Sequence, residues 1–489
     1  MTSRFRPHLC LAVILCLLAS AWPSTAAVPS AVFYSVTSSA SSGPGSLNDA
    51  VFQANYNGGD VNFINFNIPS DGGVVEIILS QTLYMARLMI LNGFSQPGYQ
   101  GSPLIRINAN GMASGIALVG NVAGVPPFSD GRTATSSGST IQGFQIVNYS
   151  SNAITILNES QGNYIQNNWL GFYQATPGAY VRNVTAHPGS RGIGLQSSFN
   201  HIRNNTISGV DNGITVGDDP FGIPTGTNYK TNSIRDNFIG TDPTGTSKIG
   251  NDSDGIFLGA GARQNFIGPG NVLSGMASAG CELLHSTAIG NVIFGNIIGL
   301  NATGDTAIGN AQVGVLVANG AHFNDVGSSD PKNGNIISGN ALGGVVIGQS
   351  PYLPVNDPSG NWVENNLIGT DKTGSKAIGV QGTGVTVQNG AQHIVVRFNV
   401  LAGHSNHGAV VANSTGNGLF GNWIGRTPSG VSLANQGYGV WLLNATYNYI
   451  GIGSNPPSPP YFVANLFGSN LRGPVGISGN CVGNVIDTP

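Results

Sequence analysis

The chain has 489 residues and a formal net charge of -3, and charged residues make up only 8% of it. Soluble domains typically contain ~25% charged residues, and disorder requires high charge with few apolar groups, so a chain that is 40% hydrophobic is not a disordered one. No basic stripe of the kind that binds nucleic acid is present, which argues against a nucleic-acid partner. A chain of this length forms several domains unless repetition builds one long domain.

The N-terminus has the pattern of a secretory signal peptide. Arg4 and Arg6 precede an apolar run from Leu9 to Ala19, and small residues follow it up to Ala27. We therefore predict that residues 1–27 are a signal peptide and that the mature protein is secreted, either free outside the cell or at its surface. The apolar run is shorter than the roughly 18 residues of a membrane span, and no later run approaches that length, so no span is expected.

A single helix is predicted near the start of the mature chain, in "GPGSLNDAVFQAN". Ser46 is its expected N-cap, with Asp49 as the capping-box partner. Its apolar face consists of Leu47, Val51 and Ala54. We interpret this helix as a lid, and assign residues 28–140 to an N-terminal cap with irregular opening strands.

From Asn163 onward the chain repeats the template N-x-I-x-x-N-x-I-G. Long and short lines alternate with a period of about 65 residues per pair, which gives about ten lines up to the C-terminus. Each line holds brief aliphatic runs separated by Gly, Asn and Asp, which is typical of short strands joined by sharp corners. A repeat of this period predicts a parallel β-helix over residues 141–489, with equivalent Asn residues bonded to one another from coil to coil.

The two cysteines of the mature chain, Cys281 and Cys481, are separated by six lines of the repeat. At ~4.8 Å per coil they would lie ~29 Å apart along the axis. A disulfide requires Cα atoms within about 7 Å, so we predict that they do not pair.

The line "NFIGTDPTGTSKIGN", the opening "FYSVTSSASSGPGSLNDAVFQAN" and the stretch "LMILNGFSQPGYQG" resemble bacterial secreted and cell-surface proteins of the pectin-lyase-like superfamily. The resemblance covers nearly the whole mature chain. It implies an all-β fold, a right-handed parallel β-helix of about ten coils with a short capping helix. That superfamily contains polysaccharide lyases, hydrolases, epimerases, tail spikes and adhesins, so the resemblance implies no single activity.

The long lines carry a repeated loop, "GTDPTGTSKIG" from Gly240, that could be a ligand site. A phosphate loop would need Lys and Ser or Thr directly after its last glycine, followed by a helix, and this loop has neither. Calcium would prefer several carboxylates, whereas Asp242 stands alone and becomes Asn301 and Thr427 in sister lines. We interpret the loop as a turn, with calcium as the one cofactor left open and no residue assigned to a metal.

Paired carboxylates offer another candidate site. Asp218 and Asp219 follow one strand, and Asp254 precedes the matching strand one coil later, which could supply the acid and base of an inverting hydrolase. The Gly-His-Gly and Arg-x-Lys motifs of polygalacturonases are missing, however. The plainer interpretation is that these carboxylates cap loops.

The fourth template position gives a stronger signal. It is Gln166, Arg203 and Arg235 in successive coils, so that two arginines would stack about 4.8 Å apart and favour an anion between them. The same coils contain further basic residues: Arg182, His187, Arg191 and His201. In the superfamily that this chain resembles, lyases use Arg or Lys to remove the proton from the carbon beside a uronate carboxylate. The alternative is a solvated ladder with local ion pairs, such as Arg235 with Asp236.

Aromatic residues could stack on sugars. Trp169, Trp362 and Trp423 are placed in one template column just beyond a corner, either facing outward or packing under the long loops. The sequence favours neither of these two orientations of the tryptophan side chains.

Two functions follow from these observations. The first is a secreted monomer that binds an acidic polysaccharide or cell-surface glycan and cleaves it by β-elimination. Its catalytic candidates are Arg203, Arg235, Asp254 and His201. Its substrate-binding candidates are Arg191, Arg182, His187, Trp169, Asp218 and Asp219. The second function is a non-catalytic adhesin or structural solenoid.

Overall fold

The computed structural model describes residues 30–123, 127–128, 131–157, 159–182, 189–217, 228–349, 356–379, 381–451 and 464–486. The predicted signal peptide lies outside the described residues, as do His187, Asp218 and Asp219. Within the described ranges, no helix has both the length and the apolar character needed to cross a membrane.

Three long sheets, which we call A, B and C, are built from successive coils, and the chain passes from A to B to C in each coil. Among the described residues sheet A has 15 parallel strands: Ala31–Val36, Val61–Phe66, Met89–Asn92, Thr140–Gln142, Tyr164–Gln166, His201–Arg203, Ser233–Arg235, Phe266–Ile267, Val292–Ile293, Asp325–Gly327, Trp362–Glu364, Val395–Arg397, Gly418–Phe420, Tyr449–Ile450 and Val485–Ile486.

Sheet B, counted over the same described ranges, has 13 strands: Val75–Ile78, Ile105–Asn108, Phe144–Val147, Trp169–Leu170, Thr206–Ile207, Phe238–Ile239, Val272–Leu273, Ile297–Ile298, Ile336–Ile337, Leu367–Ile368, Val400–Leu401, Trp423–Ile424 and Leu466–Phe467. Sheet C, in the part of the chain that the structure describes, has 14: Leu83–Met85, Ser114–Ala123, the antiparallel Thr133–Thr135, Asn152–Leu157, Arg191–Leu195, Asn212–Val216, Ile256–Leu258, Cys281–Leu284, Val313–Ala318, Gly343–Ile347, Thr383–Gln388, Ala409–Ala412, Val440–Leu443 and Val475–Ser478.

The remaining elements lie at the corners and at the N-terminal end. An antiparallel hairpin, Phe172–Thr176 with Ala179–Arg182, extends from the corner between sheets B and C. Tyr229–Lys230 pairs in parallel with Ala262–Arg263 at the corner between C and A. In the part of the chain that the structure describes, the helices are Leu47–Asn57 and the short 3-10 turns Gly93–Ser95 and Pro331–Asn333.

This arrangement confirms the predicted parallel β-helix. Among the described residues, the repeat from Tyr164 onward forms ten complete A–B–C coils, as predicted, but three further coils precede it, beginning at Val61–Phe66. The opening coils lack the Asn template, and the sequence pattern therefore could not count them. Strand Thr140–Gln142 lies across the predicted boundary at residue 140, and one buried core extends from Val36 to Ile450.

The core consists of aliphatic side chains stacked in columns. In sheet A the isoleucines at one shared register position point inward, and Ile165, Ile202, Ile234, Ile267 and Ile293 are all completely buried. Burying one such side chain stabilises the fold by about 1.5–3 kcal/mol. Because each coil closes the core of the previous one, this burial requires stacking of the coils.

Asparagine side chains form a continuous ladder at the corner between sheets A and B, as predicted. Its members, each at most 2% exposed, are Asn168, Asn205, Asn237, Asn271, Asn296, Asn335, Asn366, Asn399, Asn422 and Asn465. The Nδ2 of each donates to the Oδ1 of the next, at 2.8–3.1 Å. Buried amides are costly unless they are hydrogen-bonded, and the ladder satisfies them coil after coil.

The predicted lid helix is confirmed as Leu47–Asn57. The Ser46 hydroxyl accepts a hydrogen bond from the Asp49 backbone N–H at 3.2 Å, which caps the first turn. Leu47, Val51 and Ala54 are buried against the first strands. The helix therefore covers the N-terminal end of the core, where an open edge would invite pairing with another chain.

Cys281 is buried in sheet C and Cys481 lies beyond the last strand of that sheet. Both are free thiols, as the coil spacing predicted.

A second ladder, at the corner between sheets B and C, contains an irregular member. Asn310 donates to Asn340, which donates to Gln381, but the next coil supplies His404. The backbone N–H of His404 donates to Asn435, whereas neither ring nitrogen has a hydrogen-bond partner and the side chain is fully buried. Burial lowers the pKa of His404 to about 3.

We expect His404→Asn to stabilise the protein, because an amide here would extend the ladder. Since the folded pKa of His404 lies below its unfolded value near 6.5, the unfolded chain binds the extra proton as the pH falls. Stability should be fully present above pH ~6.5 and fall by up to about 1.4 kcal/mol per pH unit toward pH 3 because of this group. Urea unfolding at pH 7 and pH 4.5 measures both effects.

The exposed His393 provides the control, and His393→Asn should leave the pH dependence unchanged. An unaltered pH slope in His404→Asn would contradict the assignment.

Candidate functional site

A groove of about 470 Å³ lies on the outer face of sheet B, near the first regular coils. Its floor is formed by Trp169, Thr206 and Phe238, which occupy the same position in three successive strands. Strand residues alternate between the two faces, and Leu170 beside Trp169 therefore points into the core. The period of the repeat thus produces a row of outward side chains along the groove.

One wall of the groove comes from the corner between sheets A and B. Asn167, Asn204 and Asp236 occupy equivalent positions there, with φ of 57°, 53° and 56°. Asn and Asp adopt this left-handed conformation more readily than other non-glycine residues, which explains their place at the corner. The tight corner therefore presents two amides and one carboxylate to the groove.

The opposite wall comes from the loops between sheets B and C. Gln174 and Tyr180 belong to the hairpin, and Pro243 and Thr244 belong to the next long loop. Tyr180 packs edge-on against Trp169, with 6.4 Å between ring centroids. The aromatic rings are thus fixed by their neighbours and partly exposed to the groove.

Three predicted catalytic residues lie together on the outer face of sheet A. The strands His201–Arg203 and Ser233–Arg235 are neighbours, and Arg203 is directly opposite Arg235. Arg203 Nε donates to Gln166 Oε1 at 2.7 Å, and Arg235 Nη1 donates to Asp236 Oδ2 at 2.9 Å. Asp236 therefore connects this basic face with the wall of the groove.

His201 stacks on Tyr164, with 4.6 Å between ring centroids. Burial lowers the pKa of His201, and the charges of Arg203 and Arg235 lower it further. The imidazole is thereby kept neutral at neutral pH, in the form that can accept a proton.

Asp254 does not join this group. It is buried just before the sheet C strand Ile256–Leu258, where its Oδ1 accepts from the Ala279 N–H at 2.8 Å. Burial, reinforced by Asp254, holds the pKa of Glu282 well above its usual value, and the two carboxyl groups share a hydrogen bond. Asp254 is thus part of a buried acid pair on another side of the coil.

Arg182 and Arg191 also lie away from the sheet A face. Arg182 forms an exposed ion pair with Asp252 at 2.6 Å, and Arg191 begins a strand of sheet C close to Asp211. The structure does not place these two arginines beside Arg203 and Arg235, and their role in substrate binding stays a prediction. Arg182 ends the hairpin between sheets B and C and Arg191 begins a strand of sheet C, whereas Arg203 and Arg235 lie in sheet A.

The predicted tryptophan column is wrong for one member. Trp169 and Trp423 occupy equivalent outward positions in sheet B, but Trp362 begins a strand of sheet A. The physical reason is its place in the template, where Trp362 is the second residue and the other two are the seventh.

Sequence reasoning missed four residues of the groove, namely Asn167, Asn204, Asp236 and Phe238. The fifth template position carried a usable signal, because Asn167, Asn204 and Asp236 all occupy it. A side chain just outside the buried ladder Asn must face solvent, whatever the length of the coil.

The repeated loops are turns, as predicted. Asp242 Oδ1 accepts from the backbone N–H groups of Thr246 and Ser247, at 2.9 and 3.1 Å. Asn301 and Thr427 accept equivalent bonds in the sister loops. Within the described ranges no group of three or more His, Cys, Asp or Glu side chains could hold a metal ion.

We expect Asp371→Asn to leave the melting temperature nearly unchanged, because Asn301 makes the same bonds in its loop. Asp371→Ala should lower the free energy of unfolding by about 1–2 kcal/mol, since two backbone N–H groups lose their acceptor. Thermal melts in EDTA and in calcium chloride would measure both variants. A calcium-dependent melting temperature that Asp371→Ala abolishes would contradict the interpretation as a turn.

No protein-family model and no curated protein matches the chain. Among solved structures it is similar to the A-module of the Azotobacter vinelandii mannuronan C-5 epimerase AlgE4, with 12% identity, a TM-score of 0.40 and coverage of 92% of this chain and 99% of that one. It is also similar to the Dettilon tailspike protein, with 12% identity, a TM-score of 0.43 and coverage of 91% and 68%. Similarity at this level carries no information about substrate or reaction.

Proposed function

We propose that the chain is a secreted protein whose groove on sheet B binds an acidic polysaccharide. The observation that carries the proposal is the groove itself, where Trp169, Tyr180 and Phe238 are lined up beside Asn167 and Asp236. Ligand sites combine aromatic surface with a few placed polar groups. Aromatic rings suit the C–H faces of sugar rings, and the amides and carboxylate suit their hydroxyl groups.

The charges beside the groove favour an acidic ligand. Arg203 and Arg235 are neighbours on sheet A, and Lys230 is directly opposite Arg263 at the adjoining corner. Within the described residues, the ion pair on this face is the one between Arg235 and Asp236. A cluster of cations with one paired acid attracts polymers that carry carboxylates.

The cleavage step of the proposal is assigned to His201. Arginine stays protonated, so Arg203 and Arg235 act as cations that neutralise the uronate carboxylate. His201 would take the proton from the carbon beside that carboxylate, a C=C bond would form, and the glycosidic C–O bond would break. This assignment replaces the arginine base expected from the sequence.

A second function, a non-catalytic solenoid that holds a glycan, is favoured by the continuity of the interior. The aliphatic core and the Asn ladder between sheets A and B extend through the coils, which favours a rigid rod. Such a rod needs the groove for adhesion but no proton transfer.

We expect Trp169→Ala and Tyr180→Ala each to weaken binding of polygalacturonate or alginate about tenfold, equivalent to about 1.4 kcal/mol, because each removes one stacking surface. Trp423→Ala is the matched control, since Trp423 occupies the same position of sheet B eight coils farther along. Isothermal titration with the two uronate polymers and one neutral polymer measures the effect. Wild-type affinity in both groove variants would exclude the groove as the binding site.

If the chain is a lyase, incubation with a uronate polymer should produce ultraviolet absorbance from unsaturated sugar ends. His201→Ala should abolish that signal while binding is retained, because the imidazole is the proposed proton acceptor. His322→Ala, in another coil, is the control. Retained binding without any absorbance on a panel of uronate polymers would rule out β-elimination of these polymers and favour the non-catalytic solenoid.

A further inference from the structure

A second group of functional side chains lies on the outer face of sheet A, three coils beyond Arg235. Asp325 and Trp362 are directly opposite each other in neighbouring strands, and Glu364 is opposite Arg397 in the next pair. Trp362 is one of the aromatic residues predicted to be able to stack on a sugar, whereas the sequence pattern assigns Asp325, Glu364 and Arg397 to no binding site. Their arrangement differs from the basic face around Arg203, because carboxylates outnumber arginines here.

Glu364 and Arg397 form a closely bonded ion pair. Arg397 Nη2 lies 2.7 Å and its Nε 2.8 Å from Glu364 Oε2. The side chains are only 4% and 19% exposed, so the charge of Glu364 is already compensated. The same guanidinium lies over the Trp362 ring, 4.3 Å from its centroid, and thereby holds the indole in place.

Asp325 has no such partner. Its side chain makes no hydrogen bond to any described residue, and it is half-buried. Burial and, to a lesser extent, the charge of Glu364 raise the pKa of Asp325 to about 6, although Arg397 partly opposes the shift. The preceding strand, Val292–Ile293, contributes no charged group. At neutral pH this cluster therefore holds one uncompensated, half-buried carboxylate.

An uncompensated carboxylate in such surroundings is unfavourable unless a cation approaches it. Calcium is a poor candidate, because one free carboxylate is too few for its coordination shell. Exposed aromatic surface flanks the carboxylate instead. Trp362 is 37% exposed, and Phe323, two residues before Asp325, is 64% exposed.

We propose that this cluster binds an amino sugar, with Asp325 as the counter-ion of its ammonium group and Trp362 as the surface that its ring covers. The ammonium group satisfies the charge, and aromatic faces attract cations as well as the apolar face of a sugar. The site is separate from the groove on sheet B and stands whether or not the groove binds acidic sugars.

The test is a calorimetric titration with the β-1,4-linked tetrasaccharide of glucosamine and, in parallel, with its fully N-acetylated form. We expect the free amine to bind at pH 7 and the acetylated form to bind at least tenfold more weakly, because acetylation removes the charge. At pH 5 the affinity for the free amine should fall, since Asp325 is then protonated.

Variants assign the effect to the proposed residues. Asp325→Asn should reduce the affinity at pH 7 at least tenfold and abolish the loss of affinity between pH 7 and pH 5, whereas Trp362→Ala should weaken binding and retain that loss. Asp330→Asn and Trp423→Ala are the controls, because Asp330 is exposed in the loop after strand Asp325–Gly327 and Trp423 faces outward from sheet B. Both should bind as the wild type does.

Three results would overturn the proposal. One is equal affinity for the free and acetylated sugars, and another is unchanged binding by Asp325→Asn. The third is a lysine-rich peptide that binds as tightly as the sugar, since that would identify the partner as a protein. Loss of uronate binding in the groove variants would leave this site untouched, which separates the two proposals.

Discussion

The structure depends on one interaction that repeats from coil to coil, the amide ladder at the corner between sheets A and B. Each ladder Asn places its Oδ1 under the Nδ2 of the Asn before it, and both groups are buried. The sequence separation between partners ranges from 23 residues, between Asn399 and Asn422, to 43, between Asn422 and Asn465. The ladder thus fixes the corner in space while the length of each coil is free to vary.

This variation in coil length produces long loops on the side between sheets B and C. Long loops occur in alternate coils and are bonded to one another across the short coil between them, Ala302 N–H to Gly245 O and Lys372 N–H to Gly304 O, both at 2.9 Å. The first long insertion departs from this pattern and forms the hairpin that carries Tyr180. The groove therefore lies where the loop column gives way to the hairpin.

The sequence predicted what the repeat controls. Ile and Asn at fixed template positions indicated the core columns, the ladder and the ten coils from Tyr164. The three earlier coils obey the same geometry without the template, so only the structure could show them. The sequence also predicted which residues lie opposite each other in neighbouring coils, as Arg203 and Arg235 do.

Contacts between columns could not be predicted in the same way. Asp254 reaches Glu282, one coil farther along, and the coils in this region differ in length, so no constant offset indicates the pair. Arg182 is the last residue of the hairpin, and the template gives no information about where its side chain points. The sequence thus predicts which residues share a strand position but not which side chains meet across a corner.

Because so few residues are charged, the position of each charge on the solenoid carries information. Along the outer face of sheet A the excess is positive around Arg203 and Arg235 and becomes negative at Asp325 and Glu364. Three coils separate Arg235 from Asp325, roughly 14 Å along the axis at ~4.8 Å per coil. Nothing in the repeat requires this reversal, since the inward residues of both regions are the same aliphatic columns. A face that changes sign over this distance can fix the direction in which a polymer carrying both acidic and amino sugars lies along the rod.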